Sequence, residues 1–162
     1  MLVEHLAGLC ELRGAWVLDV SPPSHYRRWF RERGAHYISI DLGERPSMAR
    51  MDLTRMAFPD QCFDLIICSH VLEHVPAYED ALSEMKRTIK ERGVVIVDIP
   101  FSRRPHSIRL PRPDHQGHFH DFGLDVIDRL RDSGFAVEVN NYSAELAADN
   151  PSNQFFVLIK SD

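Results

Sequence analysis

The run Phe63-Asp64-Leu65-Ile66-Ile67-Cys68-Ser69, FDLIICS, is followed at once by His70 to Val75, HVLEHV. A nearly unbroken apolar run of this length, closed by a small polar residue, predicts a strand buried on both faces. A sheet with one wet face would alternate instead, so this stretch points to parallel strands covered by helices on both sides. The flanks agree. Tyr78 to Lys90 puts Ala81, Leu82, Met85 and Ile89 on one helical face, with Gly93 as its stop. Val94 to Ile99 (VVIVDI) is a second apolar strand, ended by Pro100.

Toward the N-terminus the alternation continues. Residues 1–14 suit a short first helix ending at Gly14, Ala15 to Val20 a buried strand, and Tyr26 to Arg33 a helix stopped by Gly34. His36 to Leu42 (HYISIDL) reads as a second strand, and Arg50-Met51 as a short third one leading into Asp52-Leu53. Toward the C-terminus, residues 101–119 form a basic, proline-rich loop and Leu124 to Ser133 a helix. Phe135 to Asn141 and Gln154 to Lys160 are two last strands. With no helical pattern between that pair, one strand is expected to add antiparallel at the edge. The expected fold is therefore one α/β domain spanning residues 1–162. It is a Rossmann-like, doubly wound, mostly parallel seven-stranded sheet in three α/β/α layers.

The totals exclude several classes. The chain has 162 residues, and its apolar and charged fractions of 44% and 27% are those of a soluble globular domain. A net charge of −5 argues against a general nucleic-acid footprint. Phe101 to His120 departs locally, with four Arg and four His against one Asp. Cys10, Cys62 and Cys68 form no C-x-x-C pair, and Cys68 reads as a reduced core residue. No stretch is long and apolar enough for a membrane span or a secretory leader, so a cytoplasmic location is expected.

In doubly wound sheets, ligands bind beyond the carboxyl ends of the strands. The residues there are Asp19-Val20-Ser21-Pro22, Asp41-Leu42, Asp52-Leu53, Ser69-His70 and Pro100-Phe101. Asp41 lies 22 residues beyond Asp19, a spacing at which a carboxylate takes the two hydroxyls of a ribose. It would equally start a turn before Gly43. The first turn, Ser21-Pro22-Pro23-Ser24, lacks the glycines with which backbone approaches a pyrophosphate.

Met51 to Pro100 resembles the class I S-adenosylmethionine-dependent methyltransferases, particularly small bacterial members with an FDLIICSHVLEHV-like strand and helix start. His118 to Val139 is similar to the ending of that family, and the likeness runs from Trp16 onward. The resemblance implies S-adenosylmethionine as cofactor and S-adenosylhomocysteine as product. It assigns Asp41, with Leu42 beside it, to the ribose, Asp52 and Leu53 to the adenine, and Ser69 and His70 to the methionine end and transferred methyl. Asp19, Val20, Ser21 and Pro22 complete the implied cofactor set. The glycine-free turn departs from most members, but this cofactor has no phosphate, and proline at a helix start sacrifices an N–H that is free anyway.

For an oxygen acceptor, His74 is the first candidate base and His70 the second; His74 would otherwise only shape the turn before the helix. Arg103, Arg104 and His118 are expected on the substrate side, where the arginines would hold an anionic group or else form a solvated surface. His70, Glu73 and His74, with His115 or His118 downstream, also resemble the Glu-x-x-Glu-His metal ligands of small-RNA 2′-O-methyltransferases. SHVLEHV equally resembles members without metal, and the metal-free reading is preferred. The short segment before the first strand favours a bulky acceptor (a glycan, lipid-linked sugar or RNA end) over a small metabolite, or a homodimer in which a second copy supplies a wall. The rivals are a non-catalytic scaffold subunit that keeps the fold and an NAD(P)-dependent oxidoreductase.

Overall fold

The structure is a computed structural model and describes residues 11–23, 25–43, 45–141 and 154–160. Among these residues, nine strands and three α-helices follow one another as β1 Trp16–Val20, α1 Tyr26–Glu32, β2 His36–Asp41, β3 Ala49–Arg50, β4 Phe63–Ser69, α2 Tyr78–Thr88, β5 Ile89–Asp98, β6 Ile108–Arg109, β7 His120–Asp121, α3 Val126–Asp132, β8 Phe135–Asn141 and β9 Gln154–Lys160. A 3₁₀ turn, Leu72–His74, links β4 to α2.

Seven strands form one sheet in the order β3-β2-β1-β4-β5-β9-β8. Parallel pairs run from β3 to β5, and β9 is antiparallel to both β5 and β8. The one antiparallel strand is thus β9, one place in from the edge. Alternate residues of the central strands enter opposite cores. Leu18, Val20, Ile66, Cys68, Val95 and Val97 pack with Ala81, Leu82 and Met85 of α2 and Val126 and Leu130 of α3. Val17, Leu65, Ile67, Val94 and Ile96 pack on the other face with Tyr26 and Phe30 of α1. This two-sided burial explains why β4 and β5 read as continuous apolar runs.

The expected first helix lies largely outside the described residues; residues 13–14 form a turn in which the N–H of Gly14 (φ 77°) donates to the Gly34 carbonyl at 2.9 Å. Three expectations need correction. Helix α2 ends at Thr88, not Lys90, because Ile89 turns to extended backbone and inserts, fully buried, opposite Phe63. Gly93 lies inside β5, where pairing jumps from Phe63↔Ile89 to Leu65↔Val94. A Cβ there would meet the Ile89 side chain at 2.6 Å, so the glycine serves this close approach instead of stopping a helix. Finally, residues 101–119 are not plain loop, since β6 pairs with β7 in a two-stranded sheet, and Asp125 accepts from the Ser107 N–H and hydroxyl at 2.7 and 2.5 Å. Among the described residues no helix is long and apolar enough to cross a membrane.

Candidate active site

Strand order reverses between β1 and β4, with β2 and β3 to one side and β5, β9 and β8 to the other. The helices leave in opposite directions there, which opens a crevice at the carboxyl ends of the strands. Ser21 follows β1 and His70 follows β4, and both have φ 53°, the left-handed region that favours glycine. Each is held by a bond to a neighbouring strand, Ser21 N–H to the Ile40 carbonyl (2.8 Å) and His70 N–H to the Asp98 carbonyl (2.7 Å). Residues held in sparsely populated backbone regions cluster at functional sites, and two of the three left-handed non-glycine residues among the described ones stand at this crevice. The Ser-Pro-Pro turn therefore reaches a left-handed conformation without a glycine, at a cost of about 1–2 kcal/mol. Ser21→Gly is expected to raise the unfolding free energy in urea by about 1 kcal/mol; an unchanged or lower value would mean that the serine hydroxyl offsets the strain.

Asp41, at the end of β2, is 6% exposed, and its Oδ1 accepts from the N–H groups of Gly43 (2.6 Å) and Arg45 (3.0 Å). It is thus a turn former, and the same bonds hold its carboxylate rigidly at the crevice. The Arg45 guanidinium reaches the Ser21 carbonyl at 3.4 Å and ties the first two strand-end turns together. Leu42 beside it is exposed. Asp52 accepts from the Thr54 N–H and hydroxyl, both at 2.8 Å, which shapes the turn after β3.

Several expected contacts fall elsewhere. Leu53 and Val20 turn into the core, so they offer the crevice backbone and not side chain. Pro22 is buried beneath its turn. Asp19 is 1% exposed and accepts from the Tyr37 hydroxyl at 2.8 Å, so it braces β1 against β2 and does not line the crevice. Burial pushes its carboxyl up to about 7. Arg104 pairs with Asp121 instead of standing ready for an anion.

On the far side of the crevice, Ser69 donates to Asp98 Oδ2 at 2.9 Å. His70 is flanked by two carboxylates, Glu73 Oε1 at 3.4 Å from Nδ1 and Asp98 Oδ2 at 3.5 Å from Nε2. The hydrogen bond to Glu73 holds its pKa above the ordinary histidine value, so the ring donates better than it accepts. The 3₁₀ turn then throws Glu73 inward, 1% exposed, and His74 outward, 40% exposed. His74 Nδ1 lies 3.1 Å from the Gly117 carbonyl, which can only accept, so Nδ1 donates there, and Nε2 lies 4.0 Å from Glu73 Oε1. His118 comes across from the segment before β7, and its ring meets that of His74 edge-on at 4.8 Å. That segment is fixed to the turn by the Phe119 N–H on the Glu73 carbonyl (2.7 Å).

Asp98, Asp114 and Gly117 were not among the sequence candidates. Asp98 had a signal: like Asp41, it is an acid closing an apolar strand, and it ends β5 two residues before Pro100. A separate depression beside α1, lined by Trp16, Arg27, Arg31, His36 and Met48, lies away from the crevice and gathers no comparable set of groups.

A doubly wound sheet with a carboxylate after β2, a left-handed turn after β1 and prolines where a pyrophosphate would need N–H groups fits a nucleoside cofactor without phosphates. The methyltransferase domain family model matches residues 9–97, more than half of the chain. The chain belongs to this family, the class I S-adenosylmethionine-dependent methyltransferases. Over 64 residues, 39% of the chain, it is 34% identical to the sterol 24-C-methyltransferase of Yarrowia lipolytica, and that stretch is 17% of the yeast protein's length. Among solved structures, it resembles the Burkholderia thailandensis 1,6-didemethyltoxoflavin-N1-methyltransferase, which was crystallised with S-adenosylhomocysteine, at TM-score 0.71 and 18% identity over 99% of this chain and 75% of that one. It also resembles an S-adenosylmethionine-dependent methyltransferase of Mesorhizobium loti, at TM-score 0.68 and 19% identity over 96% and 94%.

Proposed function

We propose that this chain moves a methyl group from S-adenosylmethionine to an oxygen of a bulky or anionic acceptor. The cofactor supplies a methyl on a sulfonium and leaves as the neutral thioether. On this reading Asp41 takes the ribose hydroxyls, and Asp52 with the backbone of Leu53 borders the adenine. The Ser21 turn and Ser69 face the methionine end. The acceptor lies under the segment before β7, with Arg103, Arg109 and Arg112 toward its anionic part. His74, whose Nδ1 donates to the Gly117 carbonyl and whose Nε2 is left to accept, draws off the acceptor's proton. The oxygen then bonds to the methyl carbon as the carbon–sulfur bond breaks and its electron pair stays on sulfur. Alignment of these groups is the chief contribution, worth on the order of 7–11 kcal/mol in the best cases.

The observation that supports this reading most is the pair of left-handed residues, Ser21 and His70, that follow the adjacent strands β1 and β4 at the reversal of strand order, with Asp41 at the end of the next strand. Calorimetry with S-adenosylhomocysteine tests it. Binding is expected, and Asp41→Ala should weaken it by about tenfold or more, about 1.4 kcal/mol. No binding at millimolar ligand would leave a scaffold subunit that keeps the fold, and an unchanged affinity in the variant would take Asp41 off the ribose. Tight NADH binding would instead favour an oxidoreductase.

A further inference from the structure

We propose that Arg45 binds the α-carboxylate of the cofactor's methionine part, and so selects for a cofactor that carries the whole amino acid. Its backbone N–H gives to Asp41 Oδ1 at 3.0 Å, and its guanidinium reaches the Ser21 carbonyl at 3.4 Å. One residue thus runs from the carboxylate read as the ribose holder to the turn read as facing the methionine end. Its charge also bears on His70, across the reversal of strand order, where it opposes protonation of the ring. This inference deepens the methyl-transfer reading and rests on it for what fills the crevice.

The turn after β1 leaves a carboxylate few other partners. Pro22 and Pro23 have no N–H to give. The Ser21 N–H is taken by the Ile40 carbonyl (2.8 Å) and the Tyr26 N–H by the Pro23 carbonyl (3.1 Å). A glycine-rich turn would offer an anion its backbone donors. This one offers the Ser21 carbonyl, which can only accept and so suits an ammonium. The other strand ends are acidic. Asp41 closes β2 and Asp98 closes β5, while Glu73 stands in the 3₁₀ turn after β4. Glu73 and Asp98 already face the two ring nitrogens of His70, at 3.4 and 3.5 Å. A carboxylate entering such a crevice is repelled unless a cation meets it.

Arg45 has the chemistry and the freedom to be that cation. A guanidinium presents a planar fork of N–H donors that matches a carboxylate two bonds at a time. Among the described residues, the Ser21 carbonyl is the one hydrogen-bond partner of the side chain. That bond is long, so a carboxylate readily takes its place or shares the fork with it. The head is exposed, but its base is fixed, because Asp41 Oδ1 holds the N–H groups of both Gly43 (2.6 Å) and Arg45. An arm anchored at the ribose end loses little freedom on closing over the methionine end.

The test is calorimetry of the full chain with S-adenosylhomocysteine and with its decarboxylated analogue, which keeps the adenosine, the sulfur and the ammonium. The parent is expected to bind the first more tightly. Arg45→Gln should weaken S-adenosylhomocysteine by about tenfold or more and leave the analogue within about twofold, because the backbone N–H on Asp41 remains. Arg45→Lys, which keeps the charge without the fork, should fall between the two. An S-adenosylhomocysteine affinity unchanged in Arg45→Gln would overturn the contact. So would an equal loss for both ligands, which would mean that the side chain only ties the two turns together. A parent that binds both ligands equally well would overturn the carboxylate contact alone. A parent that binds neither at millimolar concentration would overturn the cofactor reading, and this contact with it.

Discussion

Replacing His74 with glutamine is expected to cut turnover by about 10²–10⁴-fold while S-adenosylhomocysteine affinity stays unchanged. The Gly117 carbonyl takes the Nδ1–H of His74 and leaves Nε2, 4.0 Å from Glu73 Oε1, as the nitrogen able to accept. Glutamine keeps a similar size and polarity but cannot accept the acceptor's proton. The fall should be in kcat more than in KM, since the interaction strengthens as the oxygen gains charge. His70→Asn should cost less, because both ring nitrogens of His70 already face carboxylates. The assay is S-adenosylhomocysteine released with the best acceptor from a panel of phenolic, glycan and ribose hydroxyls. Turnover in His74→Gln within about threefold of the parent would remove His74 from the chemistry.

The second large effect concerns stability and pH. The Asp19 carboxyl is raised from 3.8 to about 7 by burial, and the bond from Tyr37 only partly opposes this. The folded state therefore binds a proton more tightly than the unfolded chain. The stabilising contribution is full below pH 3.8 and is lost as pH rises through about 7. One such group gives a slope of about 1.4 kcal/mol per pH unit across that window, about 4 kcal/mol in all as an upper bound. Asparagine has no charge to bury and still accepts from Tyr37. Asp19→Asn should accordingly match the parent near pH 4 and exceed its stability near pH 8 by a few kcal/mol. Urea unfolding at several pH values reads this directly, and parallel profiles for the two proteins would refute it. The groups around Asp19 are Tyr37 on β2, Cys68 on β4 and, through Tyr37, Arg27 on α1. The Tyr37 phenol and the Cys68 thiol are held well above their ordinary values, chiefly by burial, and stay neutral in this window.

Much of the fold was legible because burial on both faces leaves a plain trace. The strands Phe63 to Ser69, Phe135 to Asn141 and Gln154 to Lys160 match their expected bounds. The end of α2 was less legible, since Gly93 looked like a helix stop while the real stop is the insertion of Ile89 beside Phe63, a contact 26 residues apart. Among site residues, Asp41, Ser69 and His74 stand at the crevice as their places after the strands imply. Asp19 does not, because a strand's alternation turns it toward α1, and only the packed partner Tyr37 reveals which face is closed. The pairing of Arg104 has no local trace, because its partner Asp121 arrives from β7.

By itself the sequence determined the alternation of strands and helices, the family, and the acids and histidines at the strand ends. These follow from local periodicity and from residue type, which a chain carries without folding. Only the tertiary structure decided that Ser21 and His70 share a left-handed backbone at one crevice, and that Glu73 is buried with one oxygen that has no hydrogen-bond partner among the described residues. It also decided that His118, 44 residues beyond His74, lies beside Glu73 and His74. Those outcomes depend on which groups are desolvated and which loops close on them, and burial and long-range contact are properties of the packed molecule alone.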